Sequence, residues 1–136
     1  MKINKVIETC IYSSDLESMK KFYVDVVGLS VIQEETGKLI FLKAGKSMLL
    51  IFDPLRTSVN NDLLPTHGAI TPPSSIHFAI EIEEQEYEPW KEHLRRKEVA
   101  IQKEVNWDGK TKSLYFRDPA GNLVELITSA GWPVES

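Results

Sequence analysis

Phe116-Arg117-Asp118-Pro119-Ala120-Gly121-Asn122-Leu123-Val124-Glu125-Leu126 is the stretch from which the rest of the chain can be read. Asp, Pro, Gly and Asn within five positions mark a tight turn. Proline fixes φ, glycine tolerates positive φ, and Asp and Asn bond to nearby backbone. The flanking runs, 113–117 and 123–128, read as strands, so the stretch is strand, turn, strand. Val124 and Leu126 share one strand face, and Glu125 points to the other. A carboxylate between apolar neighbours in a strand needs a partner, because an unpaired buried charge is expensive.

Upstream, 100–105 reads as a further strand. Before it, Tyr87, Trp90 and Leu94 sit at i, i+3 and i+7 of a helix, with Pro89 tolerated in its first turn. A strand over 75–82 comes first, with His77, Ala79 and Glu81 on one face and Phe78, Ile80 and Ile82 on the other. The same order stands in the first half. A strand over 5–12 is followed by Ser14-Asp15-Leu16-Glu17, an S-x-x-E capping box. Leu16, Met19, Phe22, Tyr23, Val26 and Val27 then recur at helical spacing until Gly28. Strands over 29–34, 38–43 and 48–52 complete it.

Superposing the halves places Glu8 on His77, Phe22 on Trp90, Phe41 on Tyr115 and Lys43 on Arg117. The last strands follow, with Leu49 on Leu123 and Ile51 on Glu125. A sheet covered by a helix on one face must bury the other, so two such halves pair. The patterning predicts an α+β fold of two βαβββ modules forming a curled, open, eight-stranded cup. It predicts a single domain over 1–136, with module one about 4–52, a connector over 53–75 and module two about 76–128. The connector holds Pro54, Pro65, Pro72 and Pro73 and has no periodicity; such long connections are usually functional or mobile.

Composition narrows the function. At 136 residues and net charge −4, with no basic run, the chain is poorly suited to nucleic acid or an anionic membrane surface. A lone cysteine, Cys10, excludes an internal disulfide framework and fits a reducing compartment. The start, MKINKVIE, lacks a signal-peptide core, and no stretch approaches ~18 apolar residues. A soluble, cytoplasmic protein is expected.

With Ile7, Thr9 and Ile11 assigned to the helix side, Glu8, Cys10, Tyr12, His77, Ala79, Glu81 and Glu125 fall on the concave side. The internal twofold repeat can bring Glu8, His77 and Glu125 to one point. Two carboxylates and an imidazole suit a borderline divalent ion: Zn, Ni, Co, Fe or Mn. A lone histidine on such a face is more often a hydrogen-bonded core residue, and a His–Glu pair in a metal-free binding cavity is the competing reading. Cys10 and Tyr12 read as lining, since no base neighbours the thiol. Trp107 either caps the cavity or packs on the sheet. His67, in the connector, is a solvated loop histidine or reaches the cavity as an extra ligand or acid–base group.

The runs Ile7-Glu8-Thr9-Cys10-Ile11-Tyr12, Phe22-Tyr23, Gly28-Leu29 and Ile76-His77-Phe78-Ala79-Ile80, with the stretch from Phe116 to Leu126, resemble the vicinal-oxygen-chelate superfamily. That superfamily holds glyoxalase I, fosfomycin- and bleomycin-resistance proteins and extradiol dioxygenases. The resemblance implies metal ligands at Glu8, His77 and Glu125, with Glu8 standing where His is more frequent. It puts Ile51, as a cavity-lining residue, where glyoxalase I has a glutamate ligand. It also implies a metal-dependent lyase, isomerase or dioxygenase that binds a small substrate through vicinal oxygens and stabilises an enediolate or oxyanion. Glu8 and Glu125 are then the candidate catalytic groups. The alternative is a non-catalytic drug- or small-molecule-binding protein of the bleomycin-resistance type. A homodimer is expected in either case.

Overall fold

The first unit of the chain, Met1–Ser74, opens with β1 (Glu8–Tyr12) and α1 (Leu16–Phe22). Here and in the second unit, Ser75–Ser136, the computed structural model describes residues 1–2, 5–57, 76–107 and 109–128. Most of the connector, including His67, lies outside the described residues.

The start of α1 departs from the predicted capping box. Asp15, not Ser14, is the N-cap: its Oδ1 accepts the Ser18 amide at 3.1 Å and its Oδ2 the Ser18 hydroxyl at 2.6 Å. Ser13 Oγ accepts the Asp15 amide at 3.0 Å, so the serine that matters lies one residue earlier. The helix then widens to π geometry over Tyr23–Val27 and ends at Gly28, whose φ of 87° is the left-handed stop that glycine favours. β2 (Ser30–Glu35), β3 (Leu39–Ala44) and β4 (Ser47–Phe52) follow. The strands form a sheet in the order β1-β4-β3-β2, with β1 parallel to β4 and the other pairs antiparallel. The connector begins with a helical turn that its lack of periodicity did not suggest, α2 (Pro54–Thr57), where Asp53 Oδ1 accepts the Leu55 amide.

Strand alternation divides the first sheet into two faces. Ile11, Ile40, Leu42, Leu49 and Ile51 share one and are buried together, as are Leu16, Met19, Phe22 and Tyr23 of the helical segment; α1 packs against β3 and β4. Ile7, expected on this side, lies outside β1 and is 54% exposed. On the other face Leu39, Leu50 and Phe52 are buried, with Cys10, Tyr12, Phe41 and Met48 packed against them. Phe52 meets Phe41 edge to face at a centroid distance of 5.9 Å.

The second unit repeats this plan with β5 (His77–Ile82), a 3₁₀ turn over Glu84–Glu86, α3 (Tyr87–Arg96), β6 (Lys103–Asn106), β7 (Lys112–Arg117) and β8 (Leu123–Thr128). The sheet order is β5-β8-β7-β6, again with the first and last strands of the module parallel. β6 starts three residues later than the sequence pattern proposes. Leu114, Phe116, Val124 and Leu126 are fully buried on one face, and α3 is tied to β6 where the Tyr87 hydroxyl donates to Glu104 Oε1 at 2.9 Å. The Asp118 turn is held as its composition suggests: Asp118 Oδ1 accepts the amides of Ala120 and Asn122, each at 2.9 Å. Among the described residues, eight strands in two βαβββ modules make this an α+β fold.

Candidate metal centre

The parallel pairing of β5 with β8 sets His77 beside Leu123 and Ala79 beside Glu125, so His77 and Glu125 are diagonal neighbours on one face. His77 Nδ1 lies 3.1 Å from the Leu123 carbonyl oxygen. A carbonyl only accepts, so Nδ1 carries the proton and donates it there. In neutral imidazole Nε2 then holds a bare electron pair. That atom lies 3.2 Å from Glu125 Oε1, with the Glu125 side chain 9% exposed and His77 45% exposed. Two Lewis bases face each other across this gap, an arrangement that calls for a proton or a cation between them.

The donor set fits a divalent ion. Two atoms 3.2 Å apart, each about 2.1 Å from one ion, subtend an angle of about 100° at it, near tetrahedral or octahedral values. His77 would bind through Nε2 while Nδ1–H is fixed by a backbone carbonyl, the usual way a ligating imidazole is oriented. Its half-exposed side chain leaves the site open to a small molecule.

Glu125 is held from the other side by Ser113 and Tyr115, which the sequence reading did not assign to the site. Through Ser113 it is also held by Trp107, for which that reading left capping or packing open. Ser113, fully buried on β7, donates its hydroxyl to Glu125 Oε2 at 2.6 Å. Trp107 Nε1–H donates to Ser113 Oγ at 3.0 Å. Tyr115 pairs directly with Glu125 across β7 and β8, and its ring lies 6.1 Å from that of His77. Burial pushes the Tyr115 hydroxyl above the usual tyrosine range, and the charge of Glu125 and a hydrogen bond to it add to the shift. Tyr115 therefore keeps its proton at neutral pH and can donate a hydrogen bond. The signal for Ser113 was available: it is a polar residue two positions before Tyr115 in a strand whose alternate residues, Leu114 and Phe116, are apolar.

Glu81 and Ala79 are exposed on the His77 face of β5. Glu8, in the first unit, is exposed at the start of β1 beside Met48. Cys10 and Tyr12 follow it on the same face, half-buried against Leu50 and Phe52. Burial raises the Cys10 thiol above its ordinary range, and the nearby Glu8 charge raises it further, which keeps it un-ionised. Ile51 does not line this face. It is fully buried beside Ile11 and Ile40, on the side opposite Cys10 and Leu50. Phe41 superposes on Tyr115, and Phe41 pairs with Leu50 as Tyr115 pairs with Glu125, so Glu125 corresponds to Leu50 and not to Ile51. Among the described residues, His, Cys, Asp and Glu form no cluster of three spaced to hold one metal ion.

Two βαβββ modules, each with this sheet order, are the architecture of the vicinal-oxygen-chelate class. The sequence model of the Glyoxalase/Bleomycin resistance protein/Dioxygenase superfamily matches residues 3–126, and the chain belongs to that superfamily. Its structure is similar to the crystal structure of lactoylglutathione lyase from Agrobacterium tumefaciens, with a TM-score of 0.89 and 34% identity over 98% of this chain and 100% of that one. Its sequence is 29% identical over 130 residues to metallothiol transferase FosB of Staphylococcus epidermidis, covering 94% of this chain and 84% of the relative. TnmS3, an antibiotic binding protein from Streptomyces sp. CB03234, shares the fold at a TM-score of 0.71 and 22% identity, over 94% of this chain and 98% of that one. Among the described residues no helix is long and apolar enough to cross a membrane.

Proposed function

We propose that the chain is a divalent-metal-dependent enzyme that binds a small substrate through vicinal oxygens, with lyase or isomerase chemistry ahead of oxygenase chemistry. The observation that carries this reading is His77 Nε2 set 3.2 Å from Glu125 Oε1, with Nδ1 engaged by Leu123. His77, Glu125 and Glu8 are the proposed ligands for Zn, Ni, Co, Fe or Mn. When bound, such an ion supplies Lewis acidity, chelating two adjacent substrate oxygens and stabilising negative charge that develops on them. Tyr115 offers a hydroxyl proton beside Glu125, and Glu8 or Glu125 is the candidate base for the proton on the adjacent carbon. Cys10 and Tyr12 contribute apolar lining, and Glu81 adds negative charge on the His77 face. The proposal includes a homodimer in the cytoplasm.

The relatives guide the choice of substrate. One is named for lactoylglutathione and another for a metallothiol, so thiol adducts of small oxygenated molecules are the class to test first. Lactoylglutathione incubated with the protein in D₂O, followed by proton NMR, tests the reading. Zinc- or nickel-loaded wild type should exchange the lactoyl α-proton, and EDTA-treated protein and His77→Ala should not. Thermal stabilisation by the ligand in EDTA, with no exchange under any of the five metals, would instead identify a non-catalytic binding protein.

A further inference from the structure

We propose that Trp107 and Ser113 are positioning residues that fix which oxygen of Glu125 is presented to a cation at His77, an inference that rests on the metal reading above. An indole N–H only donates, so Ser113 Oγ accepts from Trp107 at 3.0 Å. The single hydroxyl proton of Ser113 is thereby aimed at Glu125 Oε2, at 2.6 Å, a length typical of a charge-assisted bond. The direction of the chain is set at its outer end. Trp107 N–H feeds Ser113, Ser113 O–H occupies Oε2, and Oε1 faces His77 Nε2, with the Tyr115 hydroxyl also hydrogen-bonded to the carboxylate. The glutamate is thus arranged to ligate through one oxygen, leaving more positions for substrate oxygens than a chelating carboxylate would.

The relay also links the site to the surface. Ser113 is fully buried, whereas Trp107 is 57% exposed just beyond β6. The hydrogen bond to Ser113 points the N–H of this largely exposed indole inward. A carboxylate that shifts toward a cation must change its bond to Ser113, and the change reaches the indole N–H through one hydroxyl.

Zinc titration of the full-length protein tests this by calorimetry and by the indole N–H resonance of Trp107 in ¹H–¹⁵N spectra, assigned by its loss in Trp107→Phe. Ser113→Ala should weaken zinc binding about 10–100-fold, as loss of a ligand's outer hydrogen-bond partner does. Trp107→Phe should weaken it about 2–10-fold. Ser113→Thr, which keeps the hydroxyl, should recover most of the affinity, and zinc should shift the Trp107 N–H signal in wild type but not in Ser113→Ala. Trp107→Phe alters an exposed side chain, so its result stands even if Ser113→Ala fails to fold. Wild-type affinity in both Ser113→Ala and Trp107→Phe, with His77→Ala and Glu125→Gln losing zinc, overturns the relay and leaves the metal reading intact. If wild type does not bind zinc, the metal reading fails and the relay fails with it.

Discussion

Replacing Glu125 with glutamine separates what the carboxylate does for the fold from what it does for a cation. Without a cation, Oε1 faces the bare Nε2 of His77 at 3.2 Å, in a residue only 7% exposed. A buried acceptor that meets another acceptor instead of a donor costs about 1–3 kcal/mol. The glutamine amide can turn its NH₂ toward Nε2 and its carbonyl toward Ser113, which removes that conflict and adds a neutral bond of about 0.5–1.5 kcal/mol. Against this, the Ser113 bond loses its charge assistance, a loss of about 1 kcal/mol. The metal-free variant should therefore be more stable than wild type, by about 0.5–3.5 kcal/mol, although most buried substitutions cost about 0.5–3 kcal/mol. With zinc at 100 times its Kd, wild type gains about 2.7 kcal/mol, or roughly 10 °C for a chain of this size. The variant, lacking one of the two facing ligands, should gain less than a third of that. Thermal melts of both proteins in EDTA and in zinc at pH 8, above the ordinary histidine range, measure both effects. A variant that is more than about 2 kcal/mol less stable in EDTA yet keeps the full zinc shift would refute the reasoning, because Glu125 would then serve the fold and not the ion.

Three further outcomes can be checked directly. The two Ser18 hydrogen bonds hold the Asp15 carboxyl below its usual range, so its contribution is present above the ordinary carboxylate pKa of ~3.9 and is lost as pH falls through the lowered value. Urea midpoints measured from pH 6 to pH 2 should fall more steeply for wild type than for Asp15→Asn. Cys10 should react slowly with iodoacetamide at pH 8, and Glu8→Gln should speed the reaction by removing the nearby negative charge. Amide exchange across 53–75 should slow when zinc and a chelating oxygen ligand are added together; equal exchange with and without them would leave the segment a linker and His67 a bystander.

Much of this could be read from periodicity alone. Alternation fixed the face of His77 and Glu125, helical spacing located α1 and α3, and the Asp118–Asn122 composition located the turn between β7 and β8. The errors fall where one residue of slip is invisible to a period-two pattern. β4 is apolar on both faces, so nothing in 48–52 distinguished Leu50 from Ile51 as the counterpart of Glu125. The pairing of Phe41 with Leu50 and of Tyr115 with Glu125 decided it. The cap of α1 was ambiguous because Ser13, Ser14 and Asp15 are all capable caps, and backbone geometry selected Asp15. At the site, residue types signalled His77 and Glu125, but the tautomer of His77 and the Trp107–Ser113–Glu125 chain depend on side-chain directions that no spacing encodes.

The metal content of protein purified without chelator bears most directly on the central claim. Elemental analysis of wild type, Glu8→Gln, His77→Ala and Glu125→Gln should find about one divalent ion per wild-type chain, as a single site requires. It should find less in Glu8→Gln, and only background in His77→Ala and Glu125→Gln. Wild type holding no more metal than the three variants would contradict the claim that His77 and Glu125 face each other to bind an ion.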